Sequence, residues 1–304
     1  MRILITGDKG FVGTETKKYI KSFITVAAEG VFYYDGNKEK PTHEIIGYDL
    51  MDGFDIRDIK QFEQVVINTK PDRILHLAAI ARFAEADKDP KLAHETNVLG
   101  TMNVASIAGK YHIPLVYAST GSVYMPISEE PPIKETFKAC GNSVYGCTTF
   151  MGEEYIRSYC NPYIILRYAH LYGKEKRYHG LIGGFLSRIE RGLAPKLYGG
   201  KQSNDFTYIK DVAKANVLAL TAQWDSWNQI YNVGTGEELT AQKAGDIVCR
   251  FANYNGTIDT EVQREVDPSR FVYDVSKAEN MLGFKAAFSF EEGLKDMFKE
   301  ETHD

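Results

Sequence analysis

The stretch that decides the fold lies at the start of the chain: Ile3-Leu4-Ile5-Thr6-Gly7-Asp8-Lys9-Gly10-Phe11-Val12-Gly13. Its apolar, partly β-branched beginning is typical of a short buried strand, and a helical pattern begins at Phe11. Gly7 lets the chain turn sharply out of the strand, whereas Gly10 has no side chain to hold a pyrophosphate away from the backbone. Gly13 lets the helix lie close to the sheet. Because a helix N-terminus attracts anions, this pattern predicts a dinucleotide-binding loop.

The composition is typical of a soluble globular protein. The chain has 304 residues, 43% hydrophobic and 25% charged, which suffices for one large domain or two smaller ones. Its formal charge of -5 gives no basic surface for nucleic acid or for an anionic membrane. No apolar run approaches the roughly 20 residues of a membrane span, and the start leaves no room for a signal peptide.

The cysteines indicate a reducing compartment. None of the four forms a CxxC pair, so we expect free thiols, no metal site and a cytoplasmic location. They are Cys140, Cys147, Cys160 and Cys249.

An acid at the end of the second parallel strand is expected to bind the adenosine ribose and to select NAD over NADP. Asp35 lies nearer the usual spacing of about 20 residues after the glycines. Asp49, however, ends the better buried strand, residues 43–50. We prefer Asp49, which makes residues 24–42 an inserted hairpin with a strand near 31–37. The acid that does not bind the ribose would be an ordinary solvated residue.

Strands and helices alternate over residues 1–173, which predicts a doubly wound parallel α/β sheet, a Rossmann domain. The predicted helices are at 12–23, 58–69, 91–110 and from 143, between strands at 73–79, 113–120 and 163–168. His76 lies within an apolar strand and is expected to be a core histidine with satisfied hydrogen bonds.

Residues 174–304 are predicted to form a smaller C-terminal α/β substrate lobe, with residues 205–235 returning to the first domain. Helices are expected near 180–191, 211–223, 240–253, 276–282 and 289–299, and short strands at 230–233 and 258–264. Ser289 is a candidate N-cap for the last helix.

Further motifs follow one another along nearly the whole chain. They lie at residues 6–13 (TGxxGFxG), 55–56, 76–79, 119–124, 145–146 (the start of YxxxK), 167–173, 205–209, 231–234, and at Arg264 with Asp267. With these motifs the sequence resembles the extended short-chain dehydrogenase/reductase family of NAD-dependent nucleotide-sugar epimerases and dehydratases. The UDP-glucose 4-epimerase-like members are nearest in pattern.

The resemblance assigns roles to individual residues. Tyr145 would be the catalytic base, Thr120 would share its proton's hydrogen bond, and Thr149 occupies the place of the YxxxK lysine. Ser122, His170 and Arg264 would bind the substrate, and Asn97 matches a structural asparagine on the central helix. With the glycine loop included, the residues expected to contact NAD are Gly7, Gly10, Phe11, Val12, Gly13, Asp49, Asp55, Ile56, Leu77, Ala78, Ala79, Asn97, Ser119 and Tyr145.

The implied chemistry is transient oxidation at carbon four of a UDP-sugar. A tyrosine phenolate takes the hydroxyl proton while the hydride passes to the nicotinamide, and return of the hydride to the other face inverts the centre. Free tyrosine has a pKa near 10, so it is a poor base at neutral pH unless a positive charge lowers that pKa.

Because Thr149 stands in place of the YxxxK lysine, the positive charge expected near Tyr145 is absent. A neighbouring cation lowers a pKa by roughly 1–3 units, so its loss predicts a smaller phenolate population. The substitution could have been introduced to trap a complex, or the protein could be a natural slow or altered enzyme, or a non-catalytic binder. The helix face is otherwise intact, with Tyr145, Gly146, Phe150 and Glu153 in place.

Other departures concern the substrate. His170 replaces an asparagine that contacts the diphosphate in relatives, and Asn204 replaces an arginine that would clamp phosphate. Gly121 and Ser122 stand where 4,6-dehydratases carry an Asp-Glu pair, which favours epimerisation or simple reduction over dehydration. The alternatives to an epimerase are a nucleotide-sugar reductase or dehydratase, or a catalytically silent cofactor-binding protein.

A nucleotide sugar, most readily a UDP-hexose, is the expected partner. We expect no nucleic-acid or membrane partner. Family members commonly dimerise through a four-helix bundle, which helices at 91–109 and 144–159 could supply, although the same apolar stripes could face the core.

Overall fold

The computed structural model describes residues 1–28, 43–125, 127, 130–174, 180–262 and 269–299. Its strands, in chain order, are β1 Arg2–Thr6, β2 Glu44–Tyr48, β3 Arg73–His76, β4 Leu115–Thr120, β5 Tyr163–Tyr168, β6 His170–Tyr172, β7 Lys196–Tyr198, β8 Ser203–Asn204, β9 Phe206–Tyr208, β10 Gln229–Val233, β11 Leu239–Thr240, β12 Asp259–Glu261 and β13 Arg270–Phe271.

The α-helices of the same residues are α1 Phe11–Ala28, α2 Ile59–Thr69, α3 Phe83–Lys88, α4 Pro90–His94, α5 Thr101–Lys110, α6 Val144–Tyr159, α7 Gly180–Glu190, α8 Ile209–Leu220, α9 Ala241–Phe251, α10 Ser276–Leu282 and α11 Phe290–Lys299. A π-helical turn, Glu95–Gly100, joins α4 to α5. None of the described helices is long and apolar enough to cross a membrane.

Six strands of the described residues form the central sheet, in the order β10-β5-β4-β3-β1-β2, and every neighbouring pair is parallel. The chain order reverses at β1, which has β2 on one side and β3 on the other. In open parallel sheets, ligands bind outside the carboxyl ends of the strands at such a reversal. The predicted doubly wound sheet is confirmed.

Alternating side chains of β1 explain why both faces of the sheet are covered. Ile3 and Ile5 lie in one hydrophobic cluster, which includes α8, whereas Leu4 lies in a second cluster with α2, α5 and α6. Successive residues of a strand point to opposite faces, so an uninterrupted apolar run is what a strand between two helical layers needs.

Three short sheets lie outside the central sheet among the described residues. β8 pairs with β11 and β13, β7 pairs with β12, and β6 pairs with β9. The five helices and two strands expected in residues 174–304 lie within a few residues of observed elements, and β10 lies in the central sheet beside β5. The short strands β7, β8, β9, β11 and β13 were not predicted. The division of the chain at residue 173 stays a prediction.

One predicted boundary is wrong. α1 continues to Ala28, so residues 24–28 are helical and are not the start of an inserted hairpin. No glycine or proline lies between Phe23 and Ala28 to end the helix at the predicted boundary. The rest of the predicted hairpin, with the strand near 31–37, lies outside the described residues.

The predicted helix ends are reproduced where a side chain caps them. The Asp58 carboxylate accepts from the N–H groups of Lys60 and Gln61 at the start of α2. Ser289 caps α11: its hydroxyl accepts from the Glu292 N–H at 3.3 Å and donates to the Glu292 carboxylate. Side-chain capping of this kind is readable from the sequence because it depends on near neighbours.

Candidate active site

The loop between β1 and α1 contains a glycine that no other residue could replace without strain. Gly7 has a φ of +68°, in the left-handed region. A Cβ at Gly7 would lie 2.8 Å from the backbone nitrogen of Ala78, and one at Gly13 would lie 2.5 Å from the Gly7 carbonyl oxygen. The loop therefore turns sharply out of the strand and brings α1 close to it, as the sequence predicts.

Gly10 leaves room at the start of α1. Among described atoms, only the Gly7 carbonyl oxygen lies within 4 Å of a Cβ built at Gly10, at 3.2 Å. A pyrophosphate can therefore approach the loop backbone and the N-terminus of α1, and the loop fits a dinucleotide. The side chains of Phe11 and Val12 are half-buried and pack against the main core.

Asp49 lies immediately after β2 and beside this loop. Its carboxylate accepts hydrogen bonds from the N–H groups of Lys9 at 3.0 Å and Met51 at 2.9 Å. Asp35, the competing acid, lies outside the described residues. The position of Asp49 suits the adenosine ribose, and this assignment stays a prediction.

Asp55 and Ile56 follow on the same side of the sheet. The Arg57 guanidinium donates to both carboxylate oxygens of Asp55, from Nε to Oδ1 at 3.0 Å and from Nη2 to Oδ2 at 2.6 Å, and this contact lowers the pKa of Asp55. The Ile56 side chain is buried against Gly100, where an added Cβ would lie 2.7 Å away. Any cofactor contact by Ile56 would therefore come from its backbone.

The end of β3 passes close to the glycine loop. The Leu77 N–H donates to the Thr6 carbonyl at 3.1 Å, while Ala78 and Ala79 follow with small side chains. His76 is buried, with Nδ1 2.6 Å from the Thr6 hydroxyl and Nε2 3.0 Å from the Thr101 hydroxyl. Burial lowers the pKa of His76 to about 3, so it is neutral. The prediction of a core histidine is confirmed.

The three predicted catalytic residues meet at the carboxyl end of β4. Tyr145 lies in the first turn of α6, which begins after the N-cap Ser143. Burial raises the pKa of the Tyr145 phenol, and hydrogen bonds with the side chains of Thr120 and Thr149 act against that rise. The phenol, a strand-end hydroxyl and the position of the missing lysine thus form one cluster.

Thr149 lies one turn after Tyr145 on the buried face of α6. Its side chain is buried, and its carbonyl accepts from the Tyr117 hydroxyl at 3.5 Å. A threonine hydroxyl can hydrogen-bond the phenol but supplies no positive charge, so the electrostatic role of the lysine is unfilled at this position.

Ser119 makes a buried contact that the sequence analysis did not predict. Its hydroxyl donates to the buried Glu153 carboxylate, which also accepts from Arg167 Nε at 2.9 Å. Both charged side chains are almost fully buried. The hydrogen bond from Ser119 to Glu153 links β4 to α6. A contact between Ser119 and NAD stays a prediction.

The predicted substrate residues are only partly brought together. Ser122 lies in the 3-10 turn after β4, with its hydroxyl 3.2 Å from that of Thr120. His170 is exposed at the start of β6, with its ring centroid 5.2 Å from that of Phe271. Arg264 lies outside the described residues, as does Asp267.

Gly121 has no room for a side chain. A Cβ there would lie 2.2 Å from the Phe271 ring and 2.7 Å from the Tyr273 hydroxyl. The first carboxylate of the dehydratase Asp-Glu pair therefore could not be accommodated without moving the side chains of Phe271 and Tyr273. This crowding is consistent with the absence of the dehydratase Asp-Glu pair from the sequence.

Similarity to known proteins identifies the family of this chain. The family model described as the NAD dependent epimerase/dehydratase family matches residues 3–234. The chain belongs to that family. A Methanocaldococcus jannaschii protein, provisionally named a UDP-glucose 4-epimerase, is 31% identical over 96% of each chain. NAD is accordingly the cofactor of this enzyme family and of this chain.

Two solved structures of epimerases resemble this chain over its whole length. The Thermotoga maritima UDP-glucose 4-epimerase with UDP-glucose has a TM-score of 0.83 and 25% identity, with all of both chains covered. The Thermus thermophilus UDP-glucose 4-epimerase in complex with NAD has a TM-score of 0.82 and 26% identity, covering 100% of this chain and 99% of the other.

Asn97 has a structural role that the sequence could suggest only through the family motif. It lies in the π-helical turn, where its amide oxygen accepts from the Ile80 N–H at 2.8 Å. Its amide nitrogen donates to the Ile80 carbonyl and the Thr148 hydroxyl, each at 3.1 Å. Asn97 thus holds the loop after β3 against α6, and its contact with NAD stays a prediction.

The sequence analysis did not identify Phe83 as a site residue. It begins α3, and its ring packs edge-on against Tyr145 with 5.5 Å between the ring centroids. No motif includes Phe83. The small residues that precede it are the only sequence signal that this part of the chain lies near the site.

Proposed function

We propose that this protein is an NAD-dependent 4-epimerase of UDP-hexoses. The observation that carries the proposal is the proximity of the Tyr145 phenol to the Thr120 side chain at the carboxyl end of β4, where that side chain opposes the rise in the pKa of the phenol. The relatives support the substrate class, because one solved neighbour is a UDP-glucose 4-epimerase with UDP-glucose.

In this proposal Tyr145 removes the proton from the sugar hydroxyl, for which a base must lie within hydrogen-bond reach. Thr120 orients that hydroxyl and shares its hydrogen bond. NAD, which the glycine loop between β1 and α1 would hold, would supply the acceptor and donor of the sugar hydride. Asp49 holds the adenosine ribose of NAD.

On the substrate side, Ser122 contacts the hexose, and His170 and Arg264 bind the diphosphate region. These three assignments follow from the family motifs. Ser122 and His170 lie before the proposed 173/174 domain division, on the side of the cofactor, and Arg264 lies after it.

Thr149 makes the proposed enzyme slow at neutral pH. Burial raises the pKa of Tyr145, and a hydrogen bond from threonine counters that rise less than a lysine charge would. Since the phenolate fraction grows as the pH approaches the phenol pKa, activity should increase toward alkaline pH. The same missing charge favours a second candidate, a catalytically silent NAD-binding protein.

Epimerisation is preferred to dehydration because of Gly121. The Phe271 ring occupies the space that a carboxylate side chain at position 121 would need. Without an acid there, departure of the carbon-six hydroxyl lacks its proton donor.

The function is tested by incubating NAD-loaded protein with UDP-glucose at alkaline pH and identifying products by proton NMR. An epimerase forms UDP-galactose with no net use of NADH, and Tyr145→Phe abolishes this while the exposed control Tyr111→Phe does not. Consumption of added NADH would indicate a reductase, and a dehydrated keto-sugar a dehydratase. Binding of UDP-glucose without conversion at any pH would indicate the silent binder.

A further inference from the structure

An exposed aromatic side chain lies directly beside the proposed base. Phe83 packs edge-on against Tyr145, with an angle of 75° between the rings. Its residue surface is 51% exposed, and of the phenylalanines whose side chains the structure describes, it alone is exposed. A scattered exposed apolar residue needs no explanation, but this one adjoins the phenol on which the chemistry depends.

The surrounding structure holds Phe83 and Tyr145 in a fixed relation. Asn97 binds both backbone groups of Ile80, three residues before Phe83, and also the Thr148 hydroxyl, three residues after Tyr145. Ala86, one turn further along α3, is fully buried. These contacts fix the position of the segment that carries Phe83. The exposure of its phenyl ring is therefore a property of the fold.

We infer that Phe83 forms a wall of the sugar subsite and is a specificity-determining residue of the reaction. Its exposed surface covers the apolar face of the hexose ring, since ligand sites are lined by aromatic groups that bury most of the ligand. Its edge contact restrains the Tyr145 ring, so the phenol meets the hydroxyl in one orientation. The inference rests on the proposed function.

This placement distinguishes the two halves of the substrate. Phe83 adjoins the phenol, which acts on the sugar, so it should contribute to the binding of UDP-glucose and leave the binding of UDP unchanged. A residue that only supported the fold would affect both ligands together.

The test is calorimetric titration of the NAD-loaded protein with UDP-glucose and with UDP. Phe83→Ala should weaken UDP-glucose binding by about tenfold or more, the usual size of a lost apolar contact in a substrate pocket. UDP affinity and the melting temperature should be unchanged. Phe83→Tyr, which keeps the ring, should restore UDP-glucose affinity. Trp224→Ala is the matched control, because Trp224 is 64% exposed in the turn before β10.

Equal loss of UDP and UDP-glucose binding in Phe83→Ala would overturn the inference, as would unchanged binding of both. In either case wild-type binding of UDP-glucose leaves the proposed function standing. If the wild-type protein binds NAD but no UDP-glucose, the proposed function fails and this inference fails with it.

Discussion

At the scale of single residues, Thr149 has the largest consequence for activity. Tyr145 must lose its proton to act as a base, and burial raises its pKa. We predict that Thr149→Lys increases kcat at neutral pH by about 10- to 1000-fold, because a neighbouring cation lowers a pKa by roughly 1–3 units. The pH–rate profile of the variant should rise at lower pH than that of the wild type, as measured by UDP-galactose formation.

Thr149→Val is the control with the opposite sign. It keeps the shape of the side chain but removes the hydrogen bond that lowers the pKa of Tyr145. The rise in its pH–rate profile should therefore move to higher pH. Identical profiles for the lysine and valine variants would show that charge at position 149 is irrelevant.

At the scale of elements, α6 presents its functional side chains at intervals of four residues. Tyr145, Thr149 and Glu153 lie along one face, on which Tyr145 is half-buried and the other two are buried, and Glu153 pairs with Arg167 of β5 and accepts from Ser119 of β4. The pair fixes the helix to the two strands beneath it. Glu153→Gln should lower the free energy of unfolding by about 3–5 kcal/mol, because it leaves a buried guanidinium without its counter-charge. Urea unfolding measures this loss.

The double variant Glu153→Leu with Arg167→Met is the informative comparison. Replacing a whole buried ion pair by apolar side chains of similar volume is often close to neutral for stability. We therefore expect it to unfold near the wild-type denaturant concentration. A double variant as unstable as Glu153→Gln would mean that the pair itself stabilises the fold.

At the scale of the whole molecule, two neighbouring helical segments carry exposed apolar side chains. Leu99 and Met151 are each 40% exposed, and Tyr159 is 50% exposed. We predict that these faces form a homodimer through a four-helix bundle and that Met151→Lys shifts the protein from dimer to monomer in sedimentation velocity. Trp224→Lys, at another exposed aromatic, should leave the dimer intact. A wild-type monomer at all concentrations would contradict this prediction.

The same scale shows what the sequence could and could not predict. The glycine loop and the parallel sheet depend on local patterns and family motifs, and both are present; the same motifs predict that Tyr145 and Thr120 lie close together, and the Thr120 side chain affects the pKa of the phenol. The Ser119–Glu153–Arg167 bonds and the exposed ring of Phe83 depend on packing between distant segments. Periodicity and spacing along one chain carry no information on such contacts.

The most direct measurement follows UDP-glucose deuterated at carbon four through reaction with the NAD-loaded protein at alkaline pH. Transient oxidation with Tyr145 as base predicts slower conversion than for unlabelled substrate, full retention of deuterium at carbon four of UDP-galactose, and no product with Tyr145→Phe. Loss of the label to solvent, undiminished conversion by Tyr145→Phe, or no conversion by the wild-type protein at any pH would contradict the account.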